Sequence, residues 1–366
     1  MNTYLIQFLA TFILSFALTY GVKVFCIKYG IVTMPRKRDV HKKPMPRIGG
    51  VAIFLSYLII SFIYFKYIAP NNHFISAQVW GIDRHLLGIW LAGLVITGTM
   101  LIDDIRGLKA WHKLLIQVAV VLIVIASGVG INTLSNPFGQ PLDLNSVYIP
   151  LFKYNGIVYH FSLWSDLLTL IWIVGMMNVI NFVDGVDGLA GGLSFIATIT
   201  IFLLSISTIV NQPAMASLSI ILSGAILGFL IWNFPPAKIF MGDSGAMFLG
   251  FMLGLLPLIS GGKLATVFLV LGFPIVDGLY VALSRIVRGQ NPITSPDKTH
   301  LHHRFLKAGF SQRSSVLFLY VIAISFAWVA LQSGTLMKVV ASLILVVLIF
   351  LLIAILTLVE RKRRAD

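Results

Sequence analysis

The sequence predicts an all-α polytopic membrane protein: one integral membrane domain over residues 1–366, with about 11 transmembrane helices and a small external β-hairpin near 132–161. Composition predicts it first. Hydrophobic residues make up 58% of the chain, charged residues 11%, and the mean hydropathy is +0.94, whereas soluble domains carry about a quarter charged residues. Apolar runs recur along the whole chain, each near the ~17 or more residues that cross about 30 Å of hydrocarbon. Such spans must be helical, because lipid satisfies no backbone hydrogen bonds. The third observation is charge placement, which also sets orientation.

In chain order the spans fall at roughly 3–25, 48–68, 85–102, 114–131, 162–179, 189–210, 215–232, 245–260, 264–284, 315–332 and 338–358. The first lacks a small-residue cleavage site and runs into a basic loop, so it reads as a retained helix and not a removed signal peptide. With the N-terminus outside, the inner loops and the inner end of the first span hold 22 of the 27 Lys and Arg; only Lys66, Arg84, Lys153, Lys263 and Lys338 fall outside. The positive-inside rule therefore places the C-terminus in the cytoplasm. The net charge of +14 is then a cytoplasmic face suited to anionic lipid and anionic substrates. Nucleic acid is a poor partner, since the basic residues are spread over short loops and not along a soluble module.

Between the fourth and fifth spans, residues 132–161 alternate apolar and polar around KYNG, where Asn155-Gly156 suits a two-residue hairpin turn. The single cysteine, Cys26, excludes an internal disulfide and any multi-cysteine metal site. No linker, low-complexity tract or repeat divides the chain.

The acidic residues sort by side. Asp83 and Asp143 read as solvated outer-loop residues, and Asp166 as a first-turn residue of a helix starting near Ser162. The inner aspartates sit at helix ends, where a carboxylate near hydrocarbon is costly without a cation or donor. In LIDDIRG, Asp103 and Asp104 are adjacent and repel, which points to a metal or basic partner. NVINFVDGVDGL carries Asn178, Asn181, Asp184 and Asp187, the two aspartates sharing a face if the helix continues. IFMGDSGAMFLG places Asp243 at the mouth of the eighth span, where a helix N-terminus favours anions. DKTHLHHRF places His300, His302 and His303 in the longest inner loop; zinc there is disfavoured because no Cys or Glu accompanies them. Any single DG or GD pair is more often a turn than a site. Four polar clusters on one membrane face, rich in hard oxygen donors with Lys, Arg and His, suit Mg²⁺ and phosphate chemistry.

Together, RDVHKKPMPRIGG, LIDDIRG, NVINFVDGVDGLAGG, IFMGDSGAMFLG, FPIVDGLYV and DKTHLHHRFLKAGFSQR, in this order from about residue 36 to 313, resemble the polyprenyl-phosphate N-acetylhexosamine-1-phosphate transferase superfamily. HLHHR resembles its GlcNAc-1-phosphate transferase branch, which begins O-antigen, common antigen or wall teichoic acid. The phospho-MurNAc-pentapeptide transferases of peptidoglycan synthesis usually carry a histidine motif ending in glutamate, absent here.

The resemblance implies that undecaprenyl phosphate attacks the β-phosphate of a UDP-N-acetylhexosamine in a bacterial plasma membrane, on the cytoplasmic side. It also implies Mg²⁺, with Mn²⁺ as the alternative ion. Asp243 would be the principal metal ligand, with Asp187 and Asp184 helping at metal and nucleotide beside Asn181 and Asn178. Asp103 and Asp104 would lie beside the lipid phosphate, and His300, His302, His303 and Arg304 at the pyrophosphate or sugar. Lys42, Lys43 and Arg47 are candidates for holding phosphate, and Asp277 is a candidate for substrate binding or for a structural hydrogen bond. Many relatives read DDxxD at the first acidic motif, whereas Gly107 holds the last position here. The sequence leaves the sugar epimer and a homodimer open. A secondary transporter is the rival class, but it would place ionisable residues near the bilayer midplane.

Overall fold

A computed structural model describes residues 2–34, 44–71, 74, 78–136, 138–154, 157–208, 210–259, 264–289 and 300–365, with side chains apart from 151–160, 302, 303, 361 and 363–365. Helices dominate the described residues. They are α1 (Asn2–Tyr29), α2 (Gly50–Ile63, continued by a π-helical turn over Tyr64–Ile68), α3 (Arg84–Arg106), α4 (Ala110–Ala126), α5 (Leu163–Val183), α6 (Leu189–Ser205) and α7 (Pro213–Asn233). Then follow α8 (Gly242–Ile259), α9 (Leu264–Val270), α10 (Gly272–Val287), α11 (Leu301–Lys307), α12 (Gln312–Gln332) and α13 (Thr335–Ala365). Eight helices are long and apolar enough to cross a membrane, nine if the pair α9 and α10 is one broken span, and α4 and α6 are shorter apolar helices.

The strands form four antiparallel pairs: β1 (Val32–Thr33) with β2 (Met45–Pro46), β3 (Gln78–Val79) with β4 (Ile82–Asp83), β5 (Thr133–Leu134) with β6 (Leu142–Asp143), and β7 (Tyr148–Tyr154) with β8 (Ile157–Ser162). The last pair is a hairpin in the expected segment, running from Tyr148↔Ser162 to Tyr154↔Ile157 with a register shift between Pro150 and Phe152. Its expected turn, Asn155-Gly156, lies outside the described residues.

The first helix shows how the bundle is ordered. Its buried side chains are Gln7, Thr11, Ser15, Thr19 and Cys26, while Leu5, Ile6, Leu9 and Ile13 are exposed. This is the reverse of a soluble helix and is what lipid favours, since small and polar side chains let helices approach and bond. Ser15 Oγ donates to Ala225 O at 2.6 Å. Opposite it, a β-carbon at Gly224 or Gly228 would run into the α1 backbone at Phe8 or Phe12.

At the centre stands α8, buried from Gly242 to Leu258. Gly245 meets Gly50 of α2, Gly250 meets the backbone of Met177 in α5, and Gly254 meets Ile173. Glycine allows this close approach on several sides, so the N-terminus of α8, with Asp243 in its first turn, becomes a hub.

The structure corrects three expectations. Asp83 is not a solvated loop residue: it is 3% exposed and caps α3, its Oδ1 accepting from the His85 and Leu86 N–H groups at 2.8 and 3.4 Å. The ninth span is not straight, since α9 and α10 meet at 81° around Leu271. Leu345 of α13 fills the space where a side chain at Gly272 would stand. Asp184 and Asp187 do not share a face of a continued helix, because α5 ends at Val183 and a turn leads to Gly188 at φ +75°. By contrast Asp166 lies in the first turn of α5 as expected and accepts from Ser162 N–H at 2.8 Å.

Candidate active site

Three carboxylates from two segments converge at one end of the bundle. Asp103 and Asp104 lie in the last turn of α3, and Asp243 in the first turn of α8. Ligand atoms of all three lie within 4.8 Å of one another.

Local chemistry holds each in place. Asp104 caps α8, Oδ1 accepting from Asp243 N–H at 2.8 Å and Oδ2 from Ser244 N–H at 3.0 Å; a helix N-terminus favours this negative charge. Asp103 Oδ1 accepts from Leu108 N–H at 2.6 Å, across the reversal where Gly107 takes φ +73°. That backbone conformation favours glycine over an L side chain, which is a physical reason for glycine at the end of this acidic motif. Gly242 is at φ +76°, and a β-carbon there would meet Arg47 O and the Asp104 carboxylate.

Two cations thread the cluster. Lys113 Nζ donates to Asp103 Oδ2 and Asp243 Oδ2, both at 2.6 Å. Arg47 Nη2 donates to Asp243 Oδ1 at 2.9 Å, and its Nε stands 3.4 Å from Asp104 Oδ1. Backbone pairing sets Arg47 there: Phe240 N–H donates to Pro46 O, Gly49 N–H to Phe240 O and Gly50 N–H to Met241 O, at 2.8–3.0 Å. Burial alone would weaken the Arg47 charge, but Asp243 and Asp104 outweigh it and hold its pKa above the ordinary arginine value. Burial first, then Asp243, Asp104 and Asp187, hold Asp184 well above the usual carboxylate range against the pull of Arg47.

Other expected residues fall around this centre. Asp187 is buried and its Oδ2 accepts from Ala237 N–H at 3.0 Å, tying the 184–188 turn to the segment before Asp243; it is not one of the three grouped carboxylates. Asn178 binds Gln117 Oε1 at 3.0 Å, tying α5 to α4, and Asn181 is part-buried two residues before the end of α5. Asp277, in α10, accepts from Leu301 N–H at 2.9 Å, and its Oδ2 lies 2.9 Å from His300 Nδ1. It anchors the histidine segment at the start of α11. Arg304 Nη1 donates to Thr357 Oγ1 at 2.7 Å and its guanidinium lies 5.9 Å from the Tyr280 ring, so these contacts join α11 to α13 and α10. His302 and His303 are in the first turn of α11 with side chains outside the described set, and Lys42 and Lys43 lie outside the described residues.

Sequence reasoning missed Lys113. Its signal was a lysine in the first turn of an otherwise apolar helix, ten residues after Asp103, where only a buried anion makes its position favourable.

Three carboxylates against two cations leave a formal charge of minus one, so the centre has room for further positive charge. Its hard oxygen donors fit Mg²⁺, and Arg47 and Lys113 are of the cation types that bind phosphate oxygens.

A bundle of apolar helices with a carboxylate and cation centre at one end marks a polytopic membrane protein whose site suits phosphate chemistry. A model of glycosyl transferase family 4 matches residues 86–261. The chain is 34% identical over 342 residues to the probable undecaprenyl-phosphate N-acetylglucosaminyl 1-phosphate transferase of Bacillus subtilis (strain 168), covering 90% of this chain and 85% of the relative. It is 30% identical over 346 residues to the undecaprenyl-phosphate alpha-N-acetylglucosaminyl 1-phosphate transferase of Thermotoga maritima, covering 88% and 97%. A phospho-N-acetylmuramoyl-pentapeptide-transferase of Lactobacillus acidophilus is 32% identical over only 238 residues, 64% of this chain and 63% of the relative. The chain belongs to glycosyl transferase family 4, in its polyprenyl-phosphate N-acetylglucosamine-1-phosphate transferase branch.

Proposed function

We propose that this protein transfers GlcNAc-1-phosphate from UDP-GlcNAc to undecaprenyl phosphate, releasing UMP, as the first membrane step of a cell-envelope glycan. The observation that carries the reading is the Asp103, Asp104 and Asp243 cluster, threaded by Arg47 and Lys113 at the end of membrane helices. An oxygen of the lipid phosphate forms a bond to the sugar-bearing β-phosphorus, and the bond from that phosphorus to the bridging oxygen breaks. That oxygen leaves with UMP.

A phosphate monoester has its second pKa near 6, so at pH 7 the acceptor is mostly the dianion. Proton removal therefore contributes little, and positioning with charge neutralisation carries the rate. Arg47 and Lys113 orient the two anionic phosphates, whose approach would otherwise be repulsive. Asp103, Asp104 and Asp243 hold those cations and would hold Mg²⁺, which when bound neutralises phosphate oxygens.

The setting is an eleven-span bundle in a bacterial plasma membrane, N-terminus out, with the carboxylate end in the cytoplasm. A polyprenyl tail is lipid-soluble and a UDP-sugar is water-soluble, so their phosphates meet at the interface. The share of this chain that aligns favours this reading over pentapeptide transfer, since the N-acetylglucosamine-phosphate transferase relatives match over 84–90% of it and the pentapeptide transferases over 64% and 74%. The test is release of UMP by purified protein given undecaprenyl phosphate, Mg²⁺ and radiolabelled UDP-GlcNAc, UDP-GalNAc or UDP-MurNAc-pentapeptide. UMP release with UDP-GlcNAc alone supports the reading, and release confined to another donor refutes it.

A further inference from the structure

A second group of cations lies away from the carboxylates. Trp232, in the last turn of α7, has Lys23 Nζ 5.2 Å and Lys238 Nζ 5.4 Å from its ring centroid. Phe16 and Tyr20 of α1 tilt against the same indole at 5.2 and 5.6 Å. Arg313 of α12 stands 5.6 Å from the ring of neighbouring Phe234. The backbone holds Lys238 in place, its N–H donating to Trp232 O at 2.8 Å.

Among the described residues neither lysine nor Arg313 has a carboxylate partner. An aromatic face attracts ammonium groups, but an indole is neutral and cannot cancel their charge. Two like charges gathered on one ring leave a local positive potential that favours an anion.

Position selects the kind of anion. Trp232 lies in the last turn of α7 and Lys238 in the segment that leads from there to Asp243, so the cations sit at the carboxylate end of the bundle. Beside them Tyr20, Val24 and Phe25 of α1 are 53%, 45% and 50% exposed, a wall that suits acyl chains. An anion that brings its own apolar tails matches both features. We propose that Lys23, Lys238 and Trp232 form a site between α1 and α7 for the headgroup phosphate of an anionic phospholipid. Basic pockets between membrane helices take such headgroups. A zwitterionic headgroup would bring an ammonium of its own against the lysines.

The test uses the full chain in detergent, titrated with phosphatidylglycerol and followed by native mass spectrometry, with phosphatidylcholine and inorganic phosphate as separate arms. Phosphatidylglycerol is expected to bind more tightly than phosphatidylcholine. At about fivefold per lysine, Lys238→Ala should weaken binding about fivefold and Lys23→Ala/Lys238→Ala about 30-fold. Lys28→Ala should leave it unchanged, and Lys23→Arg/Lys238→Arg should retain it. Lys238 is exposed, so its single variant keeps the measurement available if the double variant does not fold. Unchanged affinity in Lys238→Ala, or equal affinity for phosphatidylcholine, would overturn the proposal. So would full displacement of the lipid by equimolar inorganic phosphate, because the tails would then contribute nothing.

Discussion

Replacing Lys113 by alanine separates what the carboxylates bind from what holds them apart. The ammonium lies 2.6 Å from Asp103 Oδ2 and 2.6 Å from Asp243 Oδ2, on side chains only 4% and 12% exposed. Deleting one partner of a buried ion pair costs about 3–5 kcal/mol. Here Leu108 N–H still holds Asp103 and Arg47 still holds Asp243, and the lysine is itself 24% exposed. The lower end, about 3 kcal/mol, therefore applies, which is on the order of 10²-fold in an equilibrium constant. If the same ammonium meets a substrate phosphate, kcat/KM for UMP release in nanodiscs falls by a similar factor. Thermal melting supplies the second readout. Without divalent cation Lys113→Ala melts below the parent, and added Mg²⁺ raises its melting temperature more than the parent's, because two carboxylates have lost their counter-charge. A kcat/KM within threefold of the parent, or a smaller Mg²⁺ shift in the variant, would refute this reasoning.

Asp103→Asn should lower kcat by the same factor at pH 6 and pH 8, because the acceptor phosphate needs no base once it is the dianion; recovery of activity as pH rises would instead assign proton abstraction to Asp103. For Asp184 the folded pKa lies above the unfolded value, so its stabilising contribution is present below the unfolded value, about pH 4, and is lost as pH rises toward the folded one. Without divalent cation, the melting-temperature advantage of Asp184→Asn over the parent should grow from pH 5 to pH 8, and a constant difference would contradict the assigned shift. Asp277→Ala and His300→Ala should each destabilise the protein by about 1–3 kcal/mol, Asp277→Ala the more, since both break the buried contact between the two side chains and Asp277→Ala also frees the Leu301 N–H. The double variant should cost about 1–3 kcal/mol less than the sum, and additive losses in denaturant melts would show that the pair is not coupled.

The spans were legible because hydropathy is local: a window of sequence carries all the information needed to decide whether a helix is stable in lipid. The apolar segments read from the chain coincide with helices α1 to α8, α12 and α13. They depart at Leu271, where α9 and α10 meet at 81° and Leu345 of α13 packs against Gly272. The aspartates were legible because carboxylates at helix ends near hydrocarbon are costly without partners. Their cation partners were not, since Lys113 and Arg47 meet Asp243 across 130 and 196 positions, which no single segment displays.

By itself the sequence determined a polytopic membrane protein, its approximate spans and the short motifs that bear its chemistry, because those depend on side-chain polarity within one turn or one span. Only the tertiary structure decided which of those residues meet. Arg47 reaches Asp243 across 196 positions and Asp104 caps Ser244 across 140, and such pairings depend on where glycines let helices approach. That information belongs to pairs of segments and not to either alone.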